Sequence, residues 1–480
     1  MLSSTQNALE ALGQRRPDLE IRTGETDRFQ ASLDNARLSF MPEAVLRVHA
    51  AEQVQPILEL ANAHHVPITA RGAGSATTGA TSPVRGGWVL DLSGLKHLRI
   101  DAELGLATVG PGATVEAIDQ AAAAHGWLFP PDPSSKKHAT AGGIVSTNAG
   151  GMRGAKYGVT RDSVLALKGN LPTGEPVQWG APLRKFVSGY NLRDLWVGAE
   201  GTLGVITEIT FRLVPRPEAR HTFLAAYADE DTALEAVRTI ATARLLPSVL
   251  EFLDSQTVAC IEARHGPMTE REDGAAVPTL LLAEVDGDAA AVQRQRAQLQ
   301  PILAEGAVFV RDTADTAEAE QLWQTRRQCS QAMFALGDTK LNEDVVVPPE
   351  AYRALLAYTR RLRDETGLAT PTFGHAADGN FHVHLMFNRG DPAQAAKAEV
   401  GVRALMREVV RLGGCITGEH GIGLAKSPFL HLQHSPAEIA AMQAVKRALD
   451  PNGILNPGKI FEPFNVWEVE PVQVRLPWDH

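Results

Sequence analysis

The chain has 480 residues, of which 44% are hydrophobic and 21% charged, and its formal net charge is −10. Single cores stop growing near about 250–300 residues, so this length implies two or three domains of an ordinary soluble globular kind. An acidic balance with no basic run of useful length excludes nucleic acid as a partner. The cysteines Cys260, Cys329 and Cys415 show no pairing or CxxC spacing, which fits a reducing compartment and argues against iron–sulfur ligation within the chain. Met1 to Arg16 carries no apolar h-region, and no apolar run approaches about 18 residues. The expectation is therefore a cytoplasmic protein, with membrane contact at most peripheral.

In chain order, residues 43–66 read as an amphipathic helix and 66–70 as a short buried strand leading into a glycine-rich loop at 71–80. Residues 88–92, 106–109, 164–168 and 205–213 read as further strands of an α+β domain that closes at Pro215 and Pro217. The texture then changes. Strands at 222–227, 248–252, 279–285 and 307–311 alternate with helices at 232–243 and 289–305, the pattern of an antiparallel sheet with helices on one face. Helices are expected at 318–336, 350–367, 391–412 and 436–449.

The 71–80 loop, Arg71-Gly72-Ala73-Gly74-Ser75-Ala76-Thr77-Thr78-Gly79-Ala80, matches neither GxGxxG nor a Walker sequence. It reads either as a mobile surface loop or as a cradle of backbone N–H groups around a pyrophosphate. Pro130-Pro131-Asp132-Pro133-Ser134-Ser135 precedes a run of small residues at 141–151 that is too glycine-rich for a stable helix. That run suits backbone pressed against a flat ligand, with Ser146 and Asn148 as hydrogen-bond partners. Residues 198–207 form a tight turn entering a strand.

Two later stretches carry the chemistry. Gly374-His375-Ala376-Ala377-Asp378-Gly379-Asn380-Phe381-His382-Val383-His384 and Gly413-Gly414-Cys415-Ile416-Thr417-Gly418-Glu419-His420-Gly421-Ile422-Gly423 supply imidazoles and a carboxylate, the ligand chemistry of a catalytic divalent metal. Their glycines would let backbone approach something that is not protein. Asp378-Gly379-Asn380 is turn chemistry that can fold His375 back toward His382, and period two puts His382 and His384 on one strand face. Arg326 and Arg327 lie on a helix and offer a planar donor to a carboxylate, although Arg327 reads more simply as a solvated charge.

Taken together, 67–80, 131–151 and 189–207 resemble the FAD-binding domain of the vanillyl-alcohol-oxidase (p-cresol-methylhydroxylase) type. The C-terminal motifs resemble those of its D-2-hydroxyacid dehydrogenase branch: D-lactate dehydrogenase, the glycolate oxidase flavin subunit and D-2-hydroxyglutarate dehydrogenase. The resemblance covers roughly residues 40–462. It implies an N-terminal extension at 1–37, an FAD domain at 38–217 and an antiparallel-sheet substrate (cap) domain with a metal-binding hairpin at 218–412. A C-terminal helical segment at 413–463 returns to the flavin, and a tail follows at 464–480.

The implied FAD site draws on Arg71, Gly72, Ala73, Gly74, Ser75, Ala76, Thr77, Gly79 and Ala80. It continues through Pro131, Asp132, Pro133 and Ser134, then Ala141, Gly142, Gly143, Ser146, Asn148 and Gly150. Glu200, Gly201, Gly204, Val205, Ile206 and Asn456 complete it. The family usually has glycine where this chain has Ala73 and Ala76, which requires negative φ there. No histidine sits in the 71–80 loop and no cysteine near 141–151, so the resemblance implies non-covalent FAD. It further implies a zinc or manganese ion on His375, His382 and Glu419, with His420 as general base. Arg326, Ser330 and His384 would contact substrate. The family's substrate-binding lysine aligns with Asn342 rather than Lys340, and both are carried as substrate contacts.

The implied reaction takes a D-2-hydroxy acid to the 2-oxo acid. A metal stabilises the alkoxide, an imidazole takes the proton, and hydride passes to flavin N5. Electrons would leave to a non-NAD acceptor (quinone, cytochrome or electron-transfer flavoprotein), and a homodimer is compatible with the reading. Lactate, glycolate, malate and 2-hydroxyglutarate all suit the motifs. A flavin-free metallohydrolase would leave 71–80 and 141–151 idle. A non-catalytic FAD subunit would need neither His420 nor Arg326.

Overall fold

The computed structural model describes residues 4–268 and 276–477, so the outer ends of the expected N-terminal extension and tail lie outside the described residues. The chain divides into two units. The first comprises Met1–Gly150, Gly158–Pro215 and Glu419–His480, and the second comprises Gly151–Tyr157 and Arg216–Gly418.

The first unit holds two main sheets. In the smaller, the strands run in the order Glu20–Arg22, Ala44–Arg47, Trp88–Asp91, Ile68–Arg71, and the last three are parallel. The strand Ala44–Arg47 overturns the helix expected from residue 43. Ala-Val-Leu-Arg is β-rich and buried, Trp88–Asp91 supplies its hydrogen bonds, and the helix starts only at Val54 and runs to Ala63. The larger sheet is antiparallel, in the order Leu98–Asp101, Leu106–Val109, Val205–Arg212, Val164–Asn170, Pro176–Gly180. Beneath it Phe129 and Phe211 meet edge to face with centroids 5.0 Å apart.

A second correction concerns 141–151, expected to be non-helical. Ala141–Thr147 is a helix: the Thr140 hydroxyl accepts the Gly143 N–H at its start, and Asn148 ends it at φ 52°. Ile144 and Val145 are buried in the core, and this packing together with the N-cap outweighs the low propensity of the two glycines.

The second unit is built on one seven-stranded antiparallel sheet. Its order is Ala307–Thr313, Ala219–Tyr227, Thr279–Gly287, Val249–Leu253, Thr372–His375, Asn380–Phe387, Thr339–Val346. Helices cover both faces, not one as expected. On one face Leu224, Ala226, Leu280 and Leu282 pack with Val258 and Ile261 of the Ser255–His265 helix and with Leu322 and Trp323 of Thr316–Arg327. On the other, Tyr227 donates its hydroxyl to the Leu303 carbonyl, and Tyr352, opening the Tyr352–Thr366 helix, meets Phe381 edge to face. Strands this long alternate two apolar faces, so each face needs its own cover. The helix expected over 318–336 is interrupted at Gln328 into Thr316–Arg327, Cys329–Ala332 and a 3₁₀ turn at Met333–Leu336.

Phe252 is fully buried and stands edge to face with Phe381 at 6.0 Å. Phe252→Ala is expected to cost about 3–5 kcal/mol, read as a lowered urea midpoint for the sheet unit.

Candidate active site

Register assembles the site in the second unit. Directly paired residues of adjacent strands place their side chains on the same sheet face. Glu251 pairs with His375, Phe373 with His382, Asp344 with His382 and Asn342 with His384. One face of four neighbouring strands thus presents Glu251, His375, His382, His384, Asn342 and Asp344. The opposite face at the same strands is Phe252, Phe381, Val383, Leu385 and Val345, all fully buried.

The turn after His375 does fold that residue back: the His375 and His382 rings stand perpendicular, with centroids 5.5 Å apart. His382 Nδ1 lies 3.9 Å from Asp344 Oδ1. His384 is fully buried, stacks on Phe373 at 5.1 Å and donates its Nδ1–H to the Pro371 carbonyl at 3.1 Å. Asn342 Oδ1 is buried and accepts no hydrogen bond.

Arg326, expected to meet substrate, is 5% exposed and engages Glu251 Oε2 through Nε at 2.7 Å and through Nη2. Its guanidinium lies 4.3 Å from the Phe373 ring centroid. Glu251 Oε1 meets His375 Nδ1 at 2.5 Å. Burial alone would push the Glu251 carboxyl up; Arg326 and His375 override it and hold the group below the usual carboxylate range. Lys340 donates to the Ser330 carbonyl at 2.9 Å and to its hydroxyl, so these two expected substrate contacts meet each other.

Asp344, fully buried, accepts the Asn380 amide at 2.7 Å, the Gly418 N–H at 2.8 Å and the Thr417 hydroxyl at 3.1 Å. Sequence reasoning assigned no role to Glu251 or Asp344. For Glu251 the signal was there, a lone carboxylate in the apolar strand Val249-Leu250-Glu251-Phe252-Leu253; Asp344 sits in the polar half of its strand, beside Asn342 and Glu343, and gave none.

In the first unit the segment following Gly418 bears Glu419 and His420, whose ligand atoms lie within 4.8 Å of each other. Glu200 Oε1 and Oε2 accept the N–H groups of Ile422 and Gly423 at 2.7 and 2.8 Å. The Thr78 carbonyl accepts those of Leu424 and Ala425 at 2.8 and 3.0 Å. A Cβ at Gly423 would fall 2.4 Å from the Thr78 carbonyl oxygen, and one at Gly418, in the second unit, 2.5 Å from Asn380 Nδ2. These glycines admit neighbouring protein rather than a ligand, contrary to the expectation.

Several of the residues expected at the cofactor bond or pack within the chain. Asn456 is buried at φ 41° and donates its amide to the carbonyls of Ala80 at 2.8 Å and Glu200 at 2.7 Å. Arg71 donates to the Leu33 carbonyl at 2.7 Å, Asp132 pairs with Lys136 at 2.9 Å, and Asn148 Oδ1 accepts the Arg161 N–H. A Cβ on Gly204 would meet Trp196 at 2.1 Å, while Val205 and Ile206 lie in the sheet cores. All of these hold the scaffold.

The 71–80 loop is different. Among the described residues, the backbone N–H groups of Gly72, Ala73, Gly74, Ser75, Ala76 and Thr77 donate no hydrogen bond within the chain. Only Gly74 and Gly79 in this loop have positive φ, so Ala73 and Ala76 meet the condition their methyl groups impose.

A row of N–H groups with no acceptor in the chain suits an anion. The FAD-binding-domain family matches residues 42–180, and the family of FAD-linked oxidases, C-terminal domain, matches residues 216–460. The chain belongs to the FAD-linked oxidases. It is an FAD-dependent oxidoreductase, and the 72–77 cradle fits the cofactor's pyrophosphate.

Within this family the chain is 38% identical to glycolate oxidase subunit GlcD of Bacillus subtilis, over 88% of this chain and 89% of that one. It is 35% identical to a D-lactate dehydrogenase of Anaerostipes hadrus, over 87% and 89% of the two chains. It is 33% identical to a D-lactate dehydrogenase of Archaeoglobus fulgidus, over 87% and 90%. Among solved structures, p-cresol methylhydroxylase with substrate bound superposes with a TM-score of 0.76 at 17% identity, covering 96% of each chain. The 4-ethylphenol oxidase of Gulosibacter chungangensis gives 0.76 at 17%, covering 96% and 98%. The fold of this FAD-linked oxidase is therefore the vanillyl-alcohol-oxidase type. Among its described residues no helix is long and apolar enough to cross a membrane.

Burial raises the Glu200 carboxyl from 4.5 to about 7, against the opposing pull of its two N–H donors and Lys459. The folded chain thus binds this proton more tightly than the unfolded one. The resulting stabilisation is full below about pH 4.5 and is lost as pH rises through about 7. Glu200→Gln is expected to remove that loss, so the fall in urea midpoint between about pH 4.5 and pH 8 should be shallower in the variant than in the parent.

Proposed function

We propose that this chain oxidises a D-2-hydroxy acid of the lactate or glycolate kind to its 2-oxo acid, using non-covalent FAD and a divalent cation, zinc or manganese. The observation that carries the reading is the single sheet face that presents Glu251, His375, His382, His384, Asn342 and Asp344 on four neighbouring strands. The family membership and the names of the relatives support it, since D-lactate and glycolate are both 2-hydroxy acids. A flavin-free metallohydrolase finds no support once the chain is an FAD-linked oxidase.

When bound, FAD supplies the two-electron acceptor for the substrate's α-hydrogen, and the cation supplies Lewis acidity. His375, His382 and Glu419 would hold the cation, a nitrogen and oxygen donor set that suits zinc or manganese. Asp344 fixes Gly418, the residue before Glu419, and so sets where that carboxylate begins. His420 takes the proton from the substrate's α-hydroxyl. His384 keeps its Nδ1 on Pro371, which leaves Nε2 as its acceptor edge. The buried Asn342 Oδ1 accepts a hydrogen bond from substrate, since a buried polar atom without a partner is costly unless a ligand supplies one. Arg326 provides the counter-charge to the substrate carboxylate, in an orientation fixed by Glu251. The onward electron acceptor would be a quinone, a cytochrome or an electron-transfer flavoprotein.

The test is anaerobic bleaching of the flavin by a panel of D- and L-2-hydroxy acids. Only D-isomers are expected to bleach it. Chelation is expected to abolish bleaching, and added zinc or manganese to restore it; bleaching by both isomers, unaffected by chelator, would sink the proposal. His420→Ala is expected to retain FAD and to lose about 10²–10⁴-fold in kcat. Full turnover in that variant would remove His420 from the role of base.

A further inference from the structure

Glu251 is a carboxylate with no solvent exposure in the middle of an apolar strand, and both of its oxygens are engaged by groups with assigned roles. Oε2 accepts Arg326 Nε at 2.7 Å, and Oε1 meets His375 Nδ1 at 2.5 Å. The cross-strand pairing of Glu251 with His375 fixes the second contact through the backbone, and the Phe373 ring against the guanidinium fixes the first. A carboxylate only accepts. The proton of a neutral His375 must therefore sit on Nδ1, which leaves the lone pair on Nε2.

From this we infer that Glu251 is the positioning residue of the proposed metal centre: it holds His375 in the tautomer that can ligate through Nε2 and holds Arg326 in place with its second oxygen. The inference rests on the metal-dependent reading above. It also couples two functions in one side chain, because Glu251 can orient the ligand and the arginine together only while both oxygens accept. An amide cannot substitute. The guanidinium is donor-only, so in Glu251→Gln the amide oxygen must face Arg326 and the NH₂ must face His375 Nδ1. That arrangement moves the imidazole proton to Nε2 and removes the ligand lone pair. Carboxylate partners of metal-bound histidines contribute about 10–100-fold to metal affinity.

The test is zinc affinity, measured by competition with a fluorescent chelator on FAD-loaded protein at fixed pH. E251Q is expected to bind zinc about 10–100-fold more weakly than the parent, with FAD content unchanged. Because E251Q leaves a buried guanidinium without its anion and can fail to fold, the decisive comparison is made in an Arg326→Met background. There the amide is released from Arg326 and can turn its oxygen to Nδ1. R326M and E251Q/R326M are therefore expected to bind zinc alike, and E251A/R326M about 10–100-fold more weakly. Equal affinity of E251A/R326M and R326M, or an E251Q/R326M no tighter than E251A/R326M, overturns the inference. A parent protein that takes up neither zinc nor manganese overturns the metal-dependent reading itself, which keeps the two failures distinct.

Discussion

The site depends on strand register. The Thr372–His375 and Asn380–Phe387 hairpin pairs on one side with Val249–Leu253 and on the other with Thr339–Val346. A slip of one residue in any of these pairings would exchange faces, sending His382 and His384 into the apolar core and bringing Val383 and Leu385 to the polar face. Register is pinned because the apolar face is thick with aromatics: Phe252, Phe381 and Tyr352 interlock edge to face. The packing that stabilises the sheet also aims the imidazoles, so fold and chemistry rest on one constraint. Gly374 shows how tight the hairpin is, for a Cβ there would fall 2.2 Å from the Asn380 carbonyl oxygen.

Burying carboxylates is costly unless each oxygen finds a donor. Both units accept that cost in similar ways. In the second unit Glu251 is satisfied by Arg326 and His375, and Asp344 by Asn380, Thr417 and Gly418. In the first, Glu200 takes two backbone N–H groups, and Asp34 accepts the N–H groups of Ala36 and Thr81. The balance differs from group to group. Arg326 and His375 keep Glu251 below the carboxylate range, whereas burial raises Asp34 to about 6 and lowers Lys459 to about 8. Fully satisfied networks of this kind rigidify their surroundings, and here they lie next to the residues to which chemistry is assigned.

What the sequence made legible follows from which signals are local. Period-two alternation exposed the His382/His384 strand, and Asp378-Gly379-Asn380 exposed its turn, because both act over a few residues. The helix expected over 43–66 failed because its apolar spacing suits either period over a short window. Its strand partners, Glu20–Arg22 some twenty residues earlier and Trp88–Asp91 some forty later, make Ala44–Arg47 a strand. The glycines of 141–147 argued against a helix, and burial of Ile144 and Val145 decided for one. The family's motifs pointed to the cofactor and to His375, His382, Glu419 and His420. Glu251 and Asp344 escaped because their meaning is a cross-strand pairing, which a single chain of letters does not display. Arg326 was legible as a cation suited to a carboxylate, but its partner within the protein, Glu251, lies 75 residues earlier and that pairing was not legible.

The segment Thr417–Gly423 shows how a loop can be rigid without regular secondary structure. In the second unit Asp344 clamps Thr417 and Gly418. In the first, Glu200 clamps Ile422 and Gly423, and the Thr78 carbonyl secures the next two N–H groups. Only Glu419, His420 and Gly421 lie between these anchors, so the backbone bearing the two side chains proposed for metal binding and proton transfer has few conformations left. Such fixation lowers the entropy a ligand or proton acceptor must lose on reaching its working position. The glycines serve this fixation, since side chains at 418 or 423 would push the anchoring groups away. Glycine density here marks a main chain clamped by buried acceptors, whereas the N–H groups of 72–77 donate no hydrogen bond within the chain.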